Sequence, residues 1–289
     1  MTTEIRTVVV LGAGTMGSQI AAVCALAGYG TSLVDISQDQ LDRARTQLEQ
    51  RLSRDVEKDR RTREDVDAAW DRLTLTTDRD AAAATADLVI EAAVEDLSVK
   101  RTIFSELDAV CPGHTLLVTN SSNIVSSRVA DATSRPDRVC NLHFFNPALV
   151  MACVEVVPHP GTAPETVDRM VSFVESLGKT PVRLKQEIPG FVANRLLGAL
   201  RREALELYEA GIADFQDIDV AAKTALGHPM GPFELMDLVG IDVVHLIRLA
   251  EYEQTGDPAS LPAASIKEKY EAGDFGRKTG RGWYEYPQS

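Results

Sequence analysis

A glycine-rich turn near the start of the chain limits the fold more than any other feature of the sequence. A short apolar run leads into the pattern G-x-G-x-x-G at Gly12, Gly14 and Gly17, and a helical pattern follows. In such a unit the first glycine permits a tight turn, the second lets a pyrophosphate approach the backbone, and the third lets the helix pack on the strand. The free N–H groups at the helix start, around Thr15 and Met16, would face that pyrophosphate. The pattern predicts a dinucleotide-binding βαβ unit.

An acidic residue at the end of the next strand indicates which dinucleotide is bound. Asp35 lies 18 residues beyond Gly17, and no arginine follows it directly. A carboxylate at this position can accept hydrogen bonds from the adenosine ribose hydroxyls, and it would repel a 2′-phosphate. An ordinary βαβ unit with a glycine turn is the alternative. The strand, glycines, helix and acid together favour NAD as the cofactor.

Short apolar runs alternate with helical patterns through the first two thirds of the chain. This alternation is typical of an α/β fold, here a Rossmann-type, doubly wound and mostly parallel sheet. The predicted strands are Thr7–Leu11, Thr31–Asp35, Asp87–Glu91, Thr115–Thr119, Arg138–Leu142, Val154–Val157 and Pro181–Leu184. The predicted helices between them are Thr15–Ala27, Gln38–Glu57, Val99–Val110 and Pro164–Leu177.

The pattern changes after Pro189 and Gly190, where strand signals become rare. Apolar residues at helical spacing then predict an all-α C-terminal domain. We therefore expect an NAD-binding domain over residues 1–187 and a helical substrate-binding and dimerisation domain over residues 188–289. The predicted helices of the second domain are Phe191–Ala210, Phe215–Ala225, Phe233–Arg248 and Ser265–Ala272.

Charge and cysteine usage narrow the environment and the partners. A formal net charge of −13 argues against nucleic acid or an anionic membrane as the partner. The four scattered cysteines form no C-x-x-C pair and read as buried, reduced thiols, so no metal is expected. The glycines interrupt the N-terminal apolar run too early for a signal peptide or a membrane span. We expect a cytoplasmic protein.

A histidine and a glutamate point to proton transfer beside the cofactor. His143 stands at the C-terminal end of a predicted strand, where open α/β sheets bind their ligands. An imidazole there can take the proton of an alcohol as hydride leaves. Glu155 is a lone acid in an apolar strand and needs a partner, which His143 can be. The alternative is a core histidine and an unrelated acid on an edge strand.

Several segments resemble the 3-hydroxyacyl-CoA dehydrogenase family, and the short bacterial 3-hydroxybutyryl-CoA dehydrogenases are the most similar in length. The resemblance implies reversible oxidation of an L-3-hydroxyacyl-CoA in fatty acid metabolism, with NAD, by a homodimer. It extends from Val8 to Tyr286. The segments are His143–Pro147, Val154–Val157, Pro189–Arg195, Pro229–Leu235 and Gly276–Tyr284.

The resemblance implies a role for each catalytic candidate. His143 would be the general base in oxidation and the general acid in reduction, with Glu155 orienting it. Ser122 would hydrogen-bond the reacting oxygen and reach the cofactor, although a helix N-cap is an alternative for this serine. Asn146 and Asn194 would hold the substrate carbonyl, the histidine or the nicotinamide ribose. Asn194 could instead be a polar residue that merely begins a helix.

Three charged residues match the family's cofactor contacts: Glu95, Lys100 and Lys278. For Lys278 a solvated lysine near the terminus is the alternative. The sequence departs from the family at Asn123, where many relatives have leucine or glycine. The segment from Val157 to Thr162 is similar to the λ-crystallin and L-gulonate dehydrogenase branch. A dehydrogenase of free 3-hydroxy acids and a non-catalytic NAD-binding protein are therefore the alternative functions.

A basic face on the second predicted helix suggests where the thioester carrier binds. Arg51, Arg54, Lys58 and Arg61 follow one another at helical spacing, within an arc of roughly 80°. Like charges four residues apart do not stabilise a helix. The phosphates of CoA would supply the missing anions, with Arg51 and Lys58 as the principal contacts. A solvated face neutralised by Asp55 and Glu57 is the alternative, and an acyl carrier protein could replace CoA.

Overall fold

A computed structural model describes residues 4–287 of the chain. It divides into two compact units, and the division falls between Phe191 and Val192. The first unit is a sheet flanked by helices and the second is built from helices. The predicted fold class, a Rossmann-type sheet followed by a helical domain, is confirmed.

One eight-stranded sheet runs through the first unit in the order β3-β2-β1-β4-β5-β6-β7-β8. The first six strands of the chain are parallel, β7 is antiparallel to β6, and β8 is parallel to β7. The C-terminal ends of β1 to β6 therefore share one edge of the sheet. The strands are β1 Thr7–Leu11, β2 Gly30–Val34, β3 Leu73–Thr76, β4 Leu88–Glu91, β5 Leu116–Thr119, β6 Val139–Phe144, β7 Cys153–Pro158 and β8 Thr180–Arg183.

Helices cover both faces of the sheet. Alternate residues of β1 enter two different cores, Val8 and Val10 in one, Val9 and Leu11 in the other. This is the pattern expected of a strand buried on both sides. The helices of the first unit are α1 Thr15–Leu26, α2 Gln38–Glu57, α3 Arg63–Arg72, α4 Arg79–Ala83, α5 Leu97–Val110, α6 Ser127–Ala130 and α7 Pro164–Ser176.

The second unit packs around an aromatic cluster that includes Phe233 and Trp283. Buried Asp237 accepts hydrogen bonds from the backbone N–H groups of Trp283 (2.8 Å) and Tyr284 (2.9 Å) and from the Tyr286 hydroxyl (3.0 Å). One carboxylate thus ties the C-terminal segment to the helices. The helices of the second unit are α8 Ala193–Glu209, α9 Phe215–Thr224, α10 Pro232–Val239, α11 Ile241–Thr255 and α12 Ala264–Ala272.

Two sequence predictions of local structure were wrong, and one segment had been left unassigned. The helix predicted over Phe233–Arg248 is two helices, because Gly240 adopts φ +108° between α10 and α11. The helix predicted to begin at Phe191 begins two residues later, since Phe191 itself has φ +48°. The segment between α2 and β4, for which the sequence analysis named no element, forms α3, the edge strand β3 and α4.

Within residues 4–287, no helix has both the length and the apolar character that crossing a membrane requires. The four cysteines are free thiols; three are buried and Cys153 is half-buried. Burial raises the pKa of the Cys140 thiol to about 12 and that of Cys24 likewise to about 12. These thiols are therefore protonated at neutral pH and unreactive.

Candidate active site

The glycine turn between β1 and α1 leaves room for a ligand at one of its three glycines. Gly12 has φ +98°, and a side chain there would lie 2.6 Å from the Ala92 carbonyl oxygen. A Cβ at Gly17 would lie 1.8 Å from the Gly12 carbonyl oxygen. A Cβ at Gly14 would meet no protein atom within 4 Å. The fold itself requires Gly12 and Gly17, whereas the open space at Gly14 fits a pyrophosphate against the start of α1.

Asp35 follows β2 and is held against this turn. One carboxylate oxygen accepts the Ala13 N–H at 2.8 Å, and the other accepts the Ser37 N–H at 2.9 Å. Each oxygen retains a further lone pair, because a carboxylate offers about four acceptor sites. A half-buried carboxylate beside the glycine turn matches the ribose contact of an NAD site. The residues present therefore fit the dinucleotide.

The antiparallel pairing of β6 with β7 brings the predicted histidine and glutamate together. His143 and Glu155 are directly opposite in the register, and His143 Nδ1 lies 2.8 Å from Glu155 Oε2. The two residues are 6% and 1% exposed. Phe145 and Phe191 pack edge-on against the imidazole, with ring centroids 4.6 and 5.3 Å away. With Nδ1–H donating to the carboxylate, Nε2 is left as the basic nitrogen.

Ser122 lies in the segment that follows β5, at the edge of the sheet where β1 and β6 also end. The neighbouring Ser121 hydroxyl donates to Glu95, and the Asn123 N–H donates to the same carboxylate at 3.3 Å. Glu95 therefore fixes both residues that flank Ser122. The next helix begins only at Ser127, so the N-cap alternative for Ser122 does not apply.

Lys100 is buried in the first turn of α5, with its ammonium nitrogen 2.7 Å from Glu91 and 3.4 Å from Glu95. The sequence analysis missed Glu91. The signal that identified Glu155 also applies to Glu91, because Glu91 is a lone acid at the end of an apolar strand. Lys100, nine residues later, provides its counter-charge.

Asn146 is exposed in the loop between β6 and β7. It lines a cleft of about 250 Å³ together with Thr15, Ser18 and Arg51. Lys179 fastens this loop, since its ammonium donates to the carbonyl oxygens of Ala148 and Met151, each at 2.7 Å. Burial lowers the pKa of Lys179. Sequence analysis gave no indication of Lys179, because its partners are backbone carbonyls.

The basic face on α2 differs from its prediction. The helix ends at Glu57, and Asp59 adopts φ +52°, so Arg61 lies beyond the helix. Buried Asp55 gathers three guanidinium groups at loose distances: Arg51 at 3.8 Å, Arg60 at 3.5 Å and Arg61 at 3.9 Å. One carboxylate faces three positive charges, so the cluster keeps a net positive charge beside the cleft.

Asn194 and Lys278 belong to the second unit. Asn194 is exposed in the first turn of α8. Lys278 is also exposed, and its ammonium forms an ion pair with Asp242 at the start of α11. Among the described residues, no group of three or more His, Cys, Asp or Glu side chains is arranged to hold a metal ion.

A Rossmann sheet with a dinucleotide turn, and a histidine–carboxylate pair at the same edge, define the class of NAD-dependent dehydrogenases. The family models agree. Residues 7–188 match the 3-hydroxyacyl-CoA dehydrogenase NAD-binding domain, and residues 190–286 match the 3-hydroxyacyl-CoA dehydrogenase C-terminal domain. The chain belongs to the 3-hydroxyacyl-CoA dehydrogenase family and is an NAD-dependent oxidoreductase.

Similar proteins cover the whole chain. The mitochondrial hydroxyacyl-coenzyme A dehydrogenase of Homo sapiens is 39% identical over 288 residues, which are 98% of this chain and 91% of the relative. A probable 3-hydroxybutyryl-CoA dehydrogenase of Bacillus subtilis is 36% identical over 285 residues, 99% of each chain. The structure of (S)-3-hydroxybutyryl-CoA dehydrogenase from Ralstonia eutropha has a TM-score of 0.89 at 36% identity, covering 99% of this chain and 100% of that one.

Proposed function

We propose that this protein reversibly oxidises a short-chain L-3-hydroxyacyl-CoA, similar to 3-hydroxybutyryl-CoA, to the 3-oxoacyl-CoA. The observation that supports this best is the buried contact of 2.8 Å between His143 and Glu155 at the end of β6. The Bacillus and Ralstonia relatives, both named for 3-hydroxybutyryl-CoA, support the short acyl chain.

In this mechanism His143 is the general base. Its Nδ1–H donates to Glu155, so Nε2 takes the proton of the 3-hydroxyl group. NAD, when bound, supplies the acceptor for the hydride that leaves C3. Glu155 stabilises the imidazolium that forms, and in the reverse direction the imidazolium returns its proton to the oxygen. Phe145 and Phe191, packed on the ring, keep water away from it.

The remaining polar residues would bind and orient the reactants. Ser122 hydrogen-bonds the reacting oxygen and reaches the cofactor, and Asn146 and Asn194 hold the substrate carbonyl or the nicotinamide ribose. Asp35 binds the adenosine ribose. The further cofactor contacts in this proposal are Gly12, Gly14, Thr15, Met16, Gly17, Glu95 and Lys278. Lys100, which the resemblance also gave as a contact, is buried against Glu91 and Glu95 and would act on the cofactor through Glu95.

The net positive charge around Asp55 supports a site for the phosphates of CoA. Arg51 lines the cleft beside Asn146, and Lys58 is exposed at the end of α2. At 3.5–3.9 Å from Asp55, the three guanidinium groups can still donate to a phosphate. We propose that Arg51 and Lys58 bind CoA, with Arg54 close by.

The test compares kcat/KM for 3-hydroxybutyryl-CoA, its N-acetylcysteamine thioester and free 3-hydroxybutyrate. The CoA thioester should be the best substrate. Lys58→Glu should raise KM for it while leaving KM for the truncated thioester unchanged. Arg43→Glu, a charge reversal on the exposed first half of α2, is the control. If the free acid is the best substrate, the acyl-CoA assignment is wrong; if Lys58→Glu has no effect, only the phosphate site is lost.

The second unit supports a homodimer, and we propose that its helices form the interface. Val243, Leu246 and Ile247 are large apolar side chains at positions i, i+3 and i+4 of α11, and all three are exposed in the single chain. Leu246→Glu should convert the dimer to a monomer in analytical ultracentrifugation, whereas Val150→Glu, at an exposed apolar residue of the first unit, should not. A monomeric wild type would refute the proposal.

The free thiols support a cytoplasmic location.

A further inference from the structure

A buried cluster of charge lies at the C-terminal ends of β4 and β5, next to the segments that follow these two strands. Lys100 and Glu91 are 1% and 0% exposed, and the ammonium nitrogen lies 2.7 Å from Glu91 Oε1. The same nitrogen lies 3.4 Å from Glu95 Oε2 and 3.5 Å from the Ala93 carbonyl oxygen. The three N–H protons of the ammonium group are therefore matched by three acceptors within the protein.

Glu91 is the centre of this cluster. Besides Lys100 it accepts the Ala93 N–H at 2.7 Å and the Thr119 hydroxyl at 2.7 Å. Its carboxylate thus joins the ends of β4 and β5 to the first turn of α5. Replacing a buried ion pair by apolar groups of similar size often leaves a fold as stable as before. The stability of the sheet alone does not account for a buried charge at this position.

The cluster holds two segments in place. Ala92 and Ala93 approach the glycine turn so closely that Gly12 has no room for a side chain. Glu95 connects the ammonium of Lys100 to Ser121 and Asn123. A displacement of Lys100 would therefore move both Ala92 and Ala93, which pack against the glycine turn, and the segment that contains Ser122.

We infer that Glu91 is a positioning residue for the cofactor site: it fixes Lys100, and Lys100 in turn fixes Glu95 and the two segments. Glu91 is 0% exposed, so its side chain offers no surface to a cofactor or a substrate. The inference rests on the proposed function only for the role of Ser122, because binding of NAD follows from the family.

The test is the affinity for NADH, measured by fluorescence titration in the absence of substrate, for Glu91→Gln. This variant keeps the size of the side chain and removes its charge. We expect the Kd for NADH to rise about tenfold or more, with a larger KM for NAD. Because no substrate is present, an inactive wild type would refute the proposed function and leave this measurement valid.

A second variant separates positioning from stability. Glu91→Gln removes the closer of the two carboxylates that neutralise the buried Lys100 charge, and adding Lys100→Met removes that charge as well. The double variant should recover thermal stability but not NADH affinity. Asp87→Asn is the matched control. Asp87 is also a buried acid, but it directly precedes the first residue of β4, at the opposite end of the strand from Glu91. Its carboxylate accepts hydrogen bonds from the backbone N–H groups of Arg6 and Thr7. It should lower the melting temperature without changing the Kd for NADH.

Two outcomes would overturn the inference. One is a Kd for NADH within twofold of wild type in Glu91→Gln. The other is a Kd for NADH that follows the melting temperature across all variants. In that case Asp87→Asn would weaken NADH binding as much as Glu91→Gln, and the double variant would restore both the melting temperature and the NADH affinity. The second pattern would mean that Glu91 serves stability alone.

Discussion

Removing the charge of Glu155 tests whether the histidine and the carboxylate act together. Glu155→Gln keeps a side chain of the same size within reach of His143 Nδ1, which lies 2.8 Å from Glu155 Oε2 in the wild type. Both residues are buried, so solvent compensates little for the lost charge. The imidazolium formed during oxidation would then lack its counter-charge at the moment it is needed.

The size of the effect follows from the geometry. Centres of charge about 4 Å apart attract each other by about 4 kcal/mol at an effective dielectric constant of about 20. Since about 1.4 kcal/mol corresponds to a factor of ten in rate, that attraction sets an upper limit of about 10³ on the loss of kcat. We expect Glu155→Gln to lower kcat by about 10²–10³, and His143→Gln by about 10²–10⁴, the range for a positioned acid–base group.

The assay follows NADH absorbance for both single variants and the double variant, with NADH affinity measured separately. NADH affinity should stay nearly unchanged, because neither residue is assigned to the cofactor. The double variant should be little slower than His143→Gln, because residues that act as a unit are not additive. His159→Gln, at another buried histidine, is the control and should keep near-normal kcat. Full additivity of the two losses would refute the coupling.

Three further predictions use the first unit. Asp35→Ala should weaken NAD without creating an NADP site; equal efficiency of the wild type with both cofactors would contradict the ribose assignment. Gly17→Ala should lower the melting temperature, since its Cβ would lie 1.8 Å from a backbone oxygen, whereas Gly14→Ala should fold normally and lose only NADH affinity. Burial alone would raise the pKa of Asp87, but hydrogen bonds from Arg6 and Thr7 lower it, so the stability that Asp87 contributes is lost as the pH falls from neutral to below the ordinary carboxyl pKa of 3.8. Denaturant titrations should show a smaller loss over that range for Asp87→Asn, and an equal loss would contradict this account.

The sheet and its nucleotide turn could be predicted because their determinants are local. Glycines and apolar runs along the chain specify the turn and the buried strands directly. The contact between His143 and Glu155 was also predictable, because a lone acid in an apolar strand needs a partner. The same argument applied to Glu91 would have led to Lys100.

Other features could not be inferred as directly. Apolar spacing continues across Gly240, and only its positive φ separates α10 from α11. The basic residues after α2 keep helical spacing although the helix ends, because Asp59 turns the chain without a glycine.

A signal was available for α3, where Thr62 and Asp65 form a capping box. The edge strand β3 had one too, in the alternating residues of Leu73–Thr76.

The antiparallel β6–β7 pair has a consequence for how the enzyme can vary. Because His143 and Glu155 are opposite each other in a ladder, their meeting depends on strand register and not on the length of the loop between them. Lengthening that loop leaves the two residues facing each other. Deleting one residue within β7 before Glu155 would turn the glutamate to the other face of the sheet. Variation in chain length can therefore accumulate in the loop that lines the cleft beside Asn146, while the strands tolerate substitutions but no insertions or deletions.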